Sequence, residues 1–429
     1  MIIAADWVIP VSSNPLKDHA VVTDGERISE IRPAVASDPR FPQSCLLPGL
    51  INTHTHLAYT AMRNLFDSYS FFSWVRKLTE IKYKVLQEAD FELSTTIGVI
   101  ECLRSGITTV ADLSDVEPAL GVLSGSPLRG IFYWEVFGVE KEQAEASWND
   151  LQGRYPRFCA EYASERMRIG VSPHACYTVR PEFYRQIADW AGPAGIPVSF
   201  HAAESKEEEQ FVARREGPIA DFLKDRAHDW SFQGSTSLEH LKGTGILQTK
   251  PLIAHAVQAS PSDLDLLSEH GAAVSHCPKS NAKFGHGIAP VCGMLQRDII
   301  VSLGSDSAAS NNRFDLFEEA RFALLQQRNL QGHPAVSEQQ MLEMMTIRGA
   351  EALGISDQVG SLVPGKLADM IVVRMPVSYN FPDHVINHLI HNTCAEDVTR
   401  TIIGGKEVPT EQVPDAGPII SKISSSVYF

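Results

Sequence analysis

Two histidines two residues apart, His54 and His56, close the segment Leu47-Pro48-Gly49-Leu50-Ile51-Asn52-Thr53-His54-Thr55-His56. Side chains alternate faces along an extended strand, so imidazoles at i and i+2 point the same way. Two neutral imidazoles on one face are good ligands for a divalent transition metal. Taken alone, the pair reads equally well as polar residues lining a strand bundle. Four more histidines change that balance, because each falls at the end of an apolar run. They are His174 after Val171-Ser172-Pro173, His201 after Val198-Ser199-Phe200, His255 after Ile253-Ala254, and His276. A final run closes with Gly304-Ser305-Asp306. Ionisable residues at so many run ends are hard to explain as packing, and as a set they read as a metal site, with His276 the weakest member.

Zinc bound by three or four nitrogen and oxygen ligands lowers the pKa of its water to about 7, which provides hydroxide near neutral pH. His54, His56, His201 and Asp306 are the natural ligand set. Glu204 lies three residues beyond His201 in His201-Ala202-Ala203-Glu204, close enough to face the same centre. A carboxylate there suits general acid/base work on a ring nitrogen or a leaving amine. The opposing reading is that Glu204 merely opens the charged run Glu204–Glu209, a solvated helix start. His384, His388 and His391 follow i, i+4, i+7 spacing, which could suggest a second metal site, but in the C-terminal segment they read as structural. His19, His228, His240, His270 and His333 sit in polar connections and read as surface residues.

Positioning such a set requires strands whose ends converge. Eight short runs recur through the middle of the chain: 51–56, 107–113, 130–136, 168–176, 196–204, 251–257, 271–278 and 298–307. Between them lie segments of helical spacing such as 91–105, 181–191 and 314–327. Strands alternating with helices argue for a parallel sheet, and eight such units predict an α/β fold of the (β/α)₈ TIM-barrel kind, with the active site at the strands' carboxyl ends. The flanks differ. Runs 1–11 and 20–31 alternate apolar residues around Asn14-Pro15 and Asp24-Gly25, and 370–373 and 399–403 precede the turn Gly404-Gly405. The expected organisation is a barrel over 49–358 and a small β-sandwich domain built from the N-terminal segment 1–48 and the C-terminal segment 359–429. The last fifteen or so residues carry no signal.

The chain has 429 residues and a formal charge of −15, which argues against a nucleic-acid or anionic-membrane surface. With 44% hydrophobic residues it has ample material for a core, yet no apolar run approaches the roughly 18 residues of a membrane span. MIIAADWVIP lacks a basic n-region and a cleavage site, so no signal peptide is expected. Seven scattered cysteines never form CxxC, which fits reduced thiols in a cytoplasm. Their spacing also excludes a Cys-ligated zinc ribbon and the P-C-x-x-C signature of cytidine-type deaminases.

Together these segments resemble the amidohydrolase superfamily, in its branch of cytosine-, guanine- and adenosine-like aminohydrolases. PGLINTHTH resembles the first-strand signature; SPHACYTV, HAAES, LIAHAV, HCPKSNAKFGHGIAPV and LGSDSAASNN resemble the motifs of strands four to eight, in order; GSLVPGKLADMIVV resembles the return to the small β domain. The resemblance covers nearly the whole chain. It implies one divalent metal ion, zinc first and iron second, held by His54, His56, His201 and Asp306. It further implies that Glu204 protonates the purine ring nitrogen, that His255 orients and polarises the attacking hydroxide, and that Asp306 accepts the hydroxide's proton. His174 is implied to contact substrate. No lysine stands at 172–176 to be carbamylated as a bridge, so one metal is expected rather than two. Adenosylhomocysteine and methylthioadenosine deaminases commonly have Pro-x-Glu after the Trp helix, whereas Trp74 is followed by VRKLTEIKY. Ser73-Trp74-Val75-Arg76, Trp134–Gly138 and Ser307–Asn312 instead resemble aminodeoxyfutalosine deaminases of the alternative menaquinone pathway.

The leading expectation is therefore hydrolytic deamination of a 6-aminopurine nucleoside: aminodeoxyfutalosine first, methylthioadenosine, adenosylhomocysteine or adenosine second. A guanine deaminase or triazine chlorohydrolase would share the site and differ in its pocket loops. A non-catalytic barrel scaffold is the reading of another class, and the full set of ligand-type residues stands against it. The partner expected is a small molecule, in a cytoplasmic protein. The aromatic segment 57–72 reads either as a pocket lid or as a homo-oligomer contact.

Overall fold

The computed structural model describes residues 1–332, 335–409 and 412–427. Among these, the chain opens with strands β1 (Ile2–Val8), β2 (Leu16–Asp24), β3 (Arg27–Pro33) and β4 (Arg40–Pro48). Eight strands separated by helices follow: β5 (Leu50–Thr55), β6 (Ile107–Ser114), β7 (Arg129–Val136), β8 (Met167–Pro173), β9 (Ser199–Ala202), β10 (Leu252–His255), β11 (Ala273–His276) and β12 (Ile300–Leu303). The C-terminal part adds β13 (Met370–Arg374), β14 (Val398–Ile403) and β15 (Lys406–Glu407).

The eight middle strands correspond one for one to the eight predicted runs. They form two four-stranded parallel sheets, β5-β6-β7-β8 and β9-β10-β11-β12. Every residue of β6 and β7 is buried, as parallel strands covered on both faces require. The sheets meet at two seams. At one, parallel bridges join Val171 to Val198 and Ala175 to His201. At the other, the Asp306 amide donates to the His54 carbonyl at 2.9 Å, and the Asn52 side-chain amide donates to Ser305 Oγ at 2.7 Å.

Local chemistry explains the helices between them. Gln87 and Asp90 form a capping box on helix Glu88–Arg104, and Asp315 accepts from the amides of Phe317 and Glu318 at the start of Leu316–Gln331. Pro181 opens helix Pro181–Ala194, and Gly195 closes it at φ 63°.

The terminal segments form one seven-stranded sheet, ordered β15-β14-β13-β4-β1-β2-β3. The run 20–31 is in fact a hairpin, β2 and β3 pairing antiparallel around Gly25 at φ 56°. β4 had no clear sequence signal, since Pro42 and Pro48 interrupt it, yet it lies at the sheet's centre between β1 and β13. Alternation along these strands serves two cores. Met370 and Val372 pack with Ile3, Val21 and Ile402 in a small core, while Ile371 and Val373 face the main core. The C-terminal residues, which carried no signal, include helix Gly417–Val427, with Ile419 and Ile423 buried against the main core.

Candidate active site

The strand ends bring the predicted residues together. His54 and His56 leave β5 side by side, their ring centroids 5.0 Å apart, and His201 from β9 stands 4.9 Å from His54 and 5.5 Å from His56. Asp306, just beyond β12, places Oδ1 3.8 Å from His54 Nε2 and 3.7 Å from His56 Nε2. His255 ends β10 with its ring 5.3 Å from that of His54. Ligand atoms of His54, His56 and Asp306 lie within 4.8 Å of one another, as do those of His54, His201 and His255.

Each donor is oriented by a second group. His56 Nδ1 donates to the Leu113 carbonyl at 2.8 Å and His201 Nδ1 to the His174 carbonyl at 2.9 Å, which leaves both Nε2 atoms for the centre. Ser280 Oγ donates to Asp306 Oδ2 at 2.6 Å, and the Ser307 amide to Oδ1 at 2.6 Å. Asn281 Oδ1 lies 2.9 Å from His255 Nδ1, aiming Nε2 inward. The backbone contributes strain here: Ala203, His255, Ala256 and Asp306 all have φ between 47° and 73°, the left-handed region that side chains with a Cβ avoid.

A divalent ion fits these donors. His54 is fully buried, and neither of its ring nitrogens has a hydrogen-bond partner among the described residues. A buried polar atom left so costs on the order of 1–3 kcal/mol, which coordination removes. Burial also keeps the imidazoles neutral, as ligation requires. It depresses His54 well below the ordinary imidazole value and His201 below it, and His56 falls to about 4, burial outweighing the attraction of Asp306.

Glu204 is buried, with Oε1 3.7 Å from His255 Nε2 and 3.5 Å from His286 Nε2. Burial alone would raise its carboxyl, but His255 and His286 beside it prevail and hold it well below the usual carboxylate range. The run 204–209 is not a solvated helix start. Glu208 is buried too, and its carboxylate accepts the Ala203 and Glu204 amides, each at 2.9 Å.

His174 meets the group from β8, its ring 4.7 Å from that of His201, with Nδ1 held by Thr178 Oγ1 at 2.9 Å. His276 is buried at the end of β11 but lies outside these ligand trios, and burial lowers it to about 3. His240 is a correction: it is 1% exposed, packed edge-on against Phe232 at 4.7 Å, because its helix Ser237–Thr244 turns that face inward. His228 is exposed and His19 and His270 are half-buried; His333 lies outside the described residues. On helix Pro382–His391, Nδ1 of His388 lies 2.9 Å from the Tyr379 hydroxyl, and His391 pairs with Glu338 at 2.8 Å.

Above the cluster opens a cavity of about 820 Å³, floored by His56, His201, His255, Glu204 and Asp306 and walled by aromatic rings. Of segment 57–72, Tyr59, Tyr69, Phe71 and Phe72 line it, while Phe66 is in the core. Sequence reasoning missed five participants: Ser280, Asn281, His286, Glu135 and Lys82. The first three lie in HCPKSNAKFGHG, where only His276 had a strand end to mark it. Glu135 lies within 4.8 Å of the ligand nitrogens of His56 and His201.

A buried histidine–carboxylate cluster at converging strand ends is the arrangement of metal-dependent hydrolases, and residues 45–408 match the Amidohydrolase family. The chain belongs to that family and is a hydrolase acting on carbon–nitrogen bonds. In particular, it is 33% identical over 368 residues to a 5-methylthioadenosine/S-adenosylhomocysteine deaminase of Pelotomaculum thermopropionicum, covering 84% of this chain and 80% of the relative. Its fold resembles an adenosine deaminase from Xanthomonas campestris with bound zinc (TM-score 0.84, 23% identity, 99% of this chain and 97% of that one). It also resembles the Helicobacter pylori aminofutalosine deaminase in complex with methylthio-coformycin (TM-score 0.79, 23% identity, 95% and 100% covered). No described helix is long and apolar enough to cross a membrane.

Proposed function

We propose that this chain is a metal-dependent hydrolytic deaminase of a 6-aminopurine nucleoside. The observation that carries the reading is the buried Glu204 carboxylate, held by His255 and His286 on the cavity floor beside the His54–His56–His201–Asp306 cluster. His54, His56, His201 and Asp306 would hold the ion, zinc in the first instance and iron in the second. When bound, it supplies Lewis acidity and an activated water at neutral pH. The two parallel half-sheets are then the halves of one (β/α)₈ barrel spanning 49–358, with 1–48 and 359–429 as the small β domain.

In this mechanism Asp306, fixed by Ser280 and the Ser307 amide, accepts the proton of the attacking water. His255, aimed by Asn281, orients that water. Glu204 takes that water's other proton and hands it to the ring nitrogen beside the carbon that bears the amine, and the proton held by Asp306 passes to the amine, which leaves as ammonia. His174 contacts the nucleoside from the cavity wall.

Within the class, aminodeoxyfutalosine is proposed first, supported by Ser73–Arg76, Trp134–Gly138 and Ser307–Asn312, which would place the enzyme in menaquinone biosynthesis. Methylthioadenosine or adenosylhomocysteine is the second reading, favoured by the 33% identical relative. Ammonia release from zinc-loaded protein decides, with aminodeoxyfutalosine, methylthioadenosine, adenosylhomocysteine, adenosine and guanine side by side. Selective turnover of one nucleoside names the substrate; turnover of guanine alone, or silence from all five with metal bound, would overturn the nucleoside reading.

A further inference from the structure

Helix Lys206–Arg214 starts two residues beyond Glu204, and Glu208 in its first turn is fully buried. Both of its carboxylate oxygens are engaged. Oε1 accepts the Ala203 amide at 2.9 Å and the Cys176 thiol at 3.4 Å, and Oε2 accepts the Glu204 amide at 2.9 Å. Ser237 Oγ accepts the same Ala203 amide at 3.1 Å and donates to Glu209 Oε1 at 2.5 Å. A buried carboxylate is costly unless donors surround it, and here the donors are two backbone amides and a thiol.

Those amides belong to the turn that delivers Glu204. Ala203 stands at φ 52°, a left-handed conformation that a residue with a Cβ keeps only where its surroundings enforce it. From that turn Glu204 reaches its place, with Oε1 3.7 Å from His255 Nε2 and 3.5 Å from His286 Nε2. Neither Glu208 nor Ser237 is among the residues that line the cavity, so neither is placed to touch a substrate. Glutamine would match Glu208 in length but not in chemistry. It offers one acceptor oxygen and turns an amide N–H toward a backbone N–H that needs an acceptor.

We propose that Glu208, backed by Ser237, is a positioning residue that locks the 203–204 turn and so aims Glu204 at the reacting ring nitrogen. This rests on Glu204 being the proton carrier of the reading above and adds the group that holds it in place. A misplacement of about 1 Å in a reacting group corresponds to roughly 100-fold in rate.

The test is a double-mutant cycle in zinc-loaded protein, on the nucleoside of the panel with the highest kcat/KM. Glu208→Gln, Glu204→Gln and the double variant are compared with wild type, with bound zinc and the folded fraction measured in each. Glu208→Gln should keep its zinc and its KM and lose roughly 10- to 100-fold in kcat. Glu208→Asp, which keeps both acceptor oxygens, should recover part of that loss. The double variant should match Glu204→Gln to within about twofold, because the clamp then has no proton carrier left to aim. If Glu208→Gln does not fold, Ser237→Ala enters the same cycle, with a smaller loss in kcat and the same lack of additivity. Losses that multiply in the double variant, an unchanged kcat, or zinc lost from folded Glu208→Gln would each overturn the positioning role. Normal turnover by Glu204→Gln would instead overturn the reading beneath it, an outcome that the single variant shows on its own.

Discussion

Glu204 and its neighbours show how burial and partner choice divide labour among chemically similar groups. His54 and His201 are kept neutral by desolvation and so are suited to ligation. Glu204, equally buried, is kept ionised by the imidazoles around it and so can take a proton before it gives one. Replacing it with glutamine keeps the shape and removes the proton carrier. Glu204→Gln should retain bound metal, measured by elemental analysis, and lose about 10²- to 10⁴-fold in kcat. Normal turnover in that variant would remove Glu204 from the mechanism. Sequence spacing pointed to Glu204 because it follows a strand-end histidine closely. His286 and Ser280 were not legible, since their roles depend on the short helix Pro278–Lys283 and the turn after it folding back over the centre.

At the scale of elements, positions that look polar and surface-bound in sequence can face inward once a short helix docks. His240 is the example: its helix Ser237–Thr244 buries it beside Phe232, and desolvation holds it at about 4. The unfolded chain, with imidazoles near their ordinary value of 6.5, takes up protons there at higher pH than the native state does. Stability is therefore fully present above about pH 6.5 and declines as the pH falls toward 4. His240→Gln should flatten part of that decline in chemical denaturation of metal-free protein between pH 7 and 4. An unchanged slope would mean that His240 contributes nothing to it. Strand positions were better predicted than strand lengths. The run 196–204 contains only the four-residue strand β9, because the chain must leave the sheet at Ala203, φ 52°, to deliver Glu204.

At the scale of the whole molecule, one ion pair ties the terminal sheet to the parallel strands. Arg129 at the start of β7 meets Asp369 just before β13, Nε to Oδ2 at 2.5 Å, and both residues are buried. Asp369 also accepts the Gly404 amide at 2.7 Å. Breaking a buried pair by removing one partner strands a charge, at a cost of about 3–5 kcal/mol. Arg129→Leu should lower stability by that amount in urea titration, while Arg129→Leu combined with Asp369→Leu should recover part of it. Equal losses in the single and double variants would show that the pair itself does not account for the cost. Nothing in sequence links positions 129 and 369, which are brought together only when both ends of the chain enter one sheet.

What the sequence by itself determined is the strand-and-helix rhythm and the residues at the strand ends, because both follow from periodicities that each segment carries alone. Eight runs predicted eight strands, and His54, His56, His201, His255 and Asp306 fell where parallel strands terminate. The tertiary structure decided what long-range packing controls. It placed β4 at the centre of the terminal sheet despite its prolines, buried His240, left His276 outside the ligand trios, and turned Glu135 and Lys82 into the same cavity. The physical reason is that a side chain's burial and partners belong to the space between elements, which no single stretch of sequence encodes.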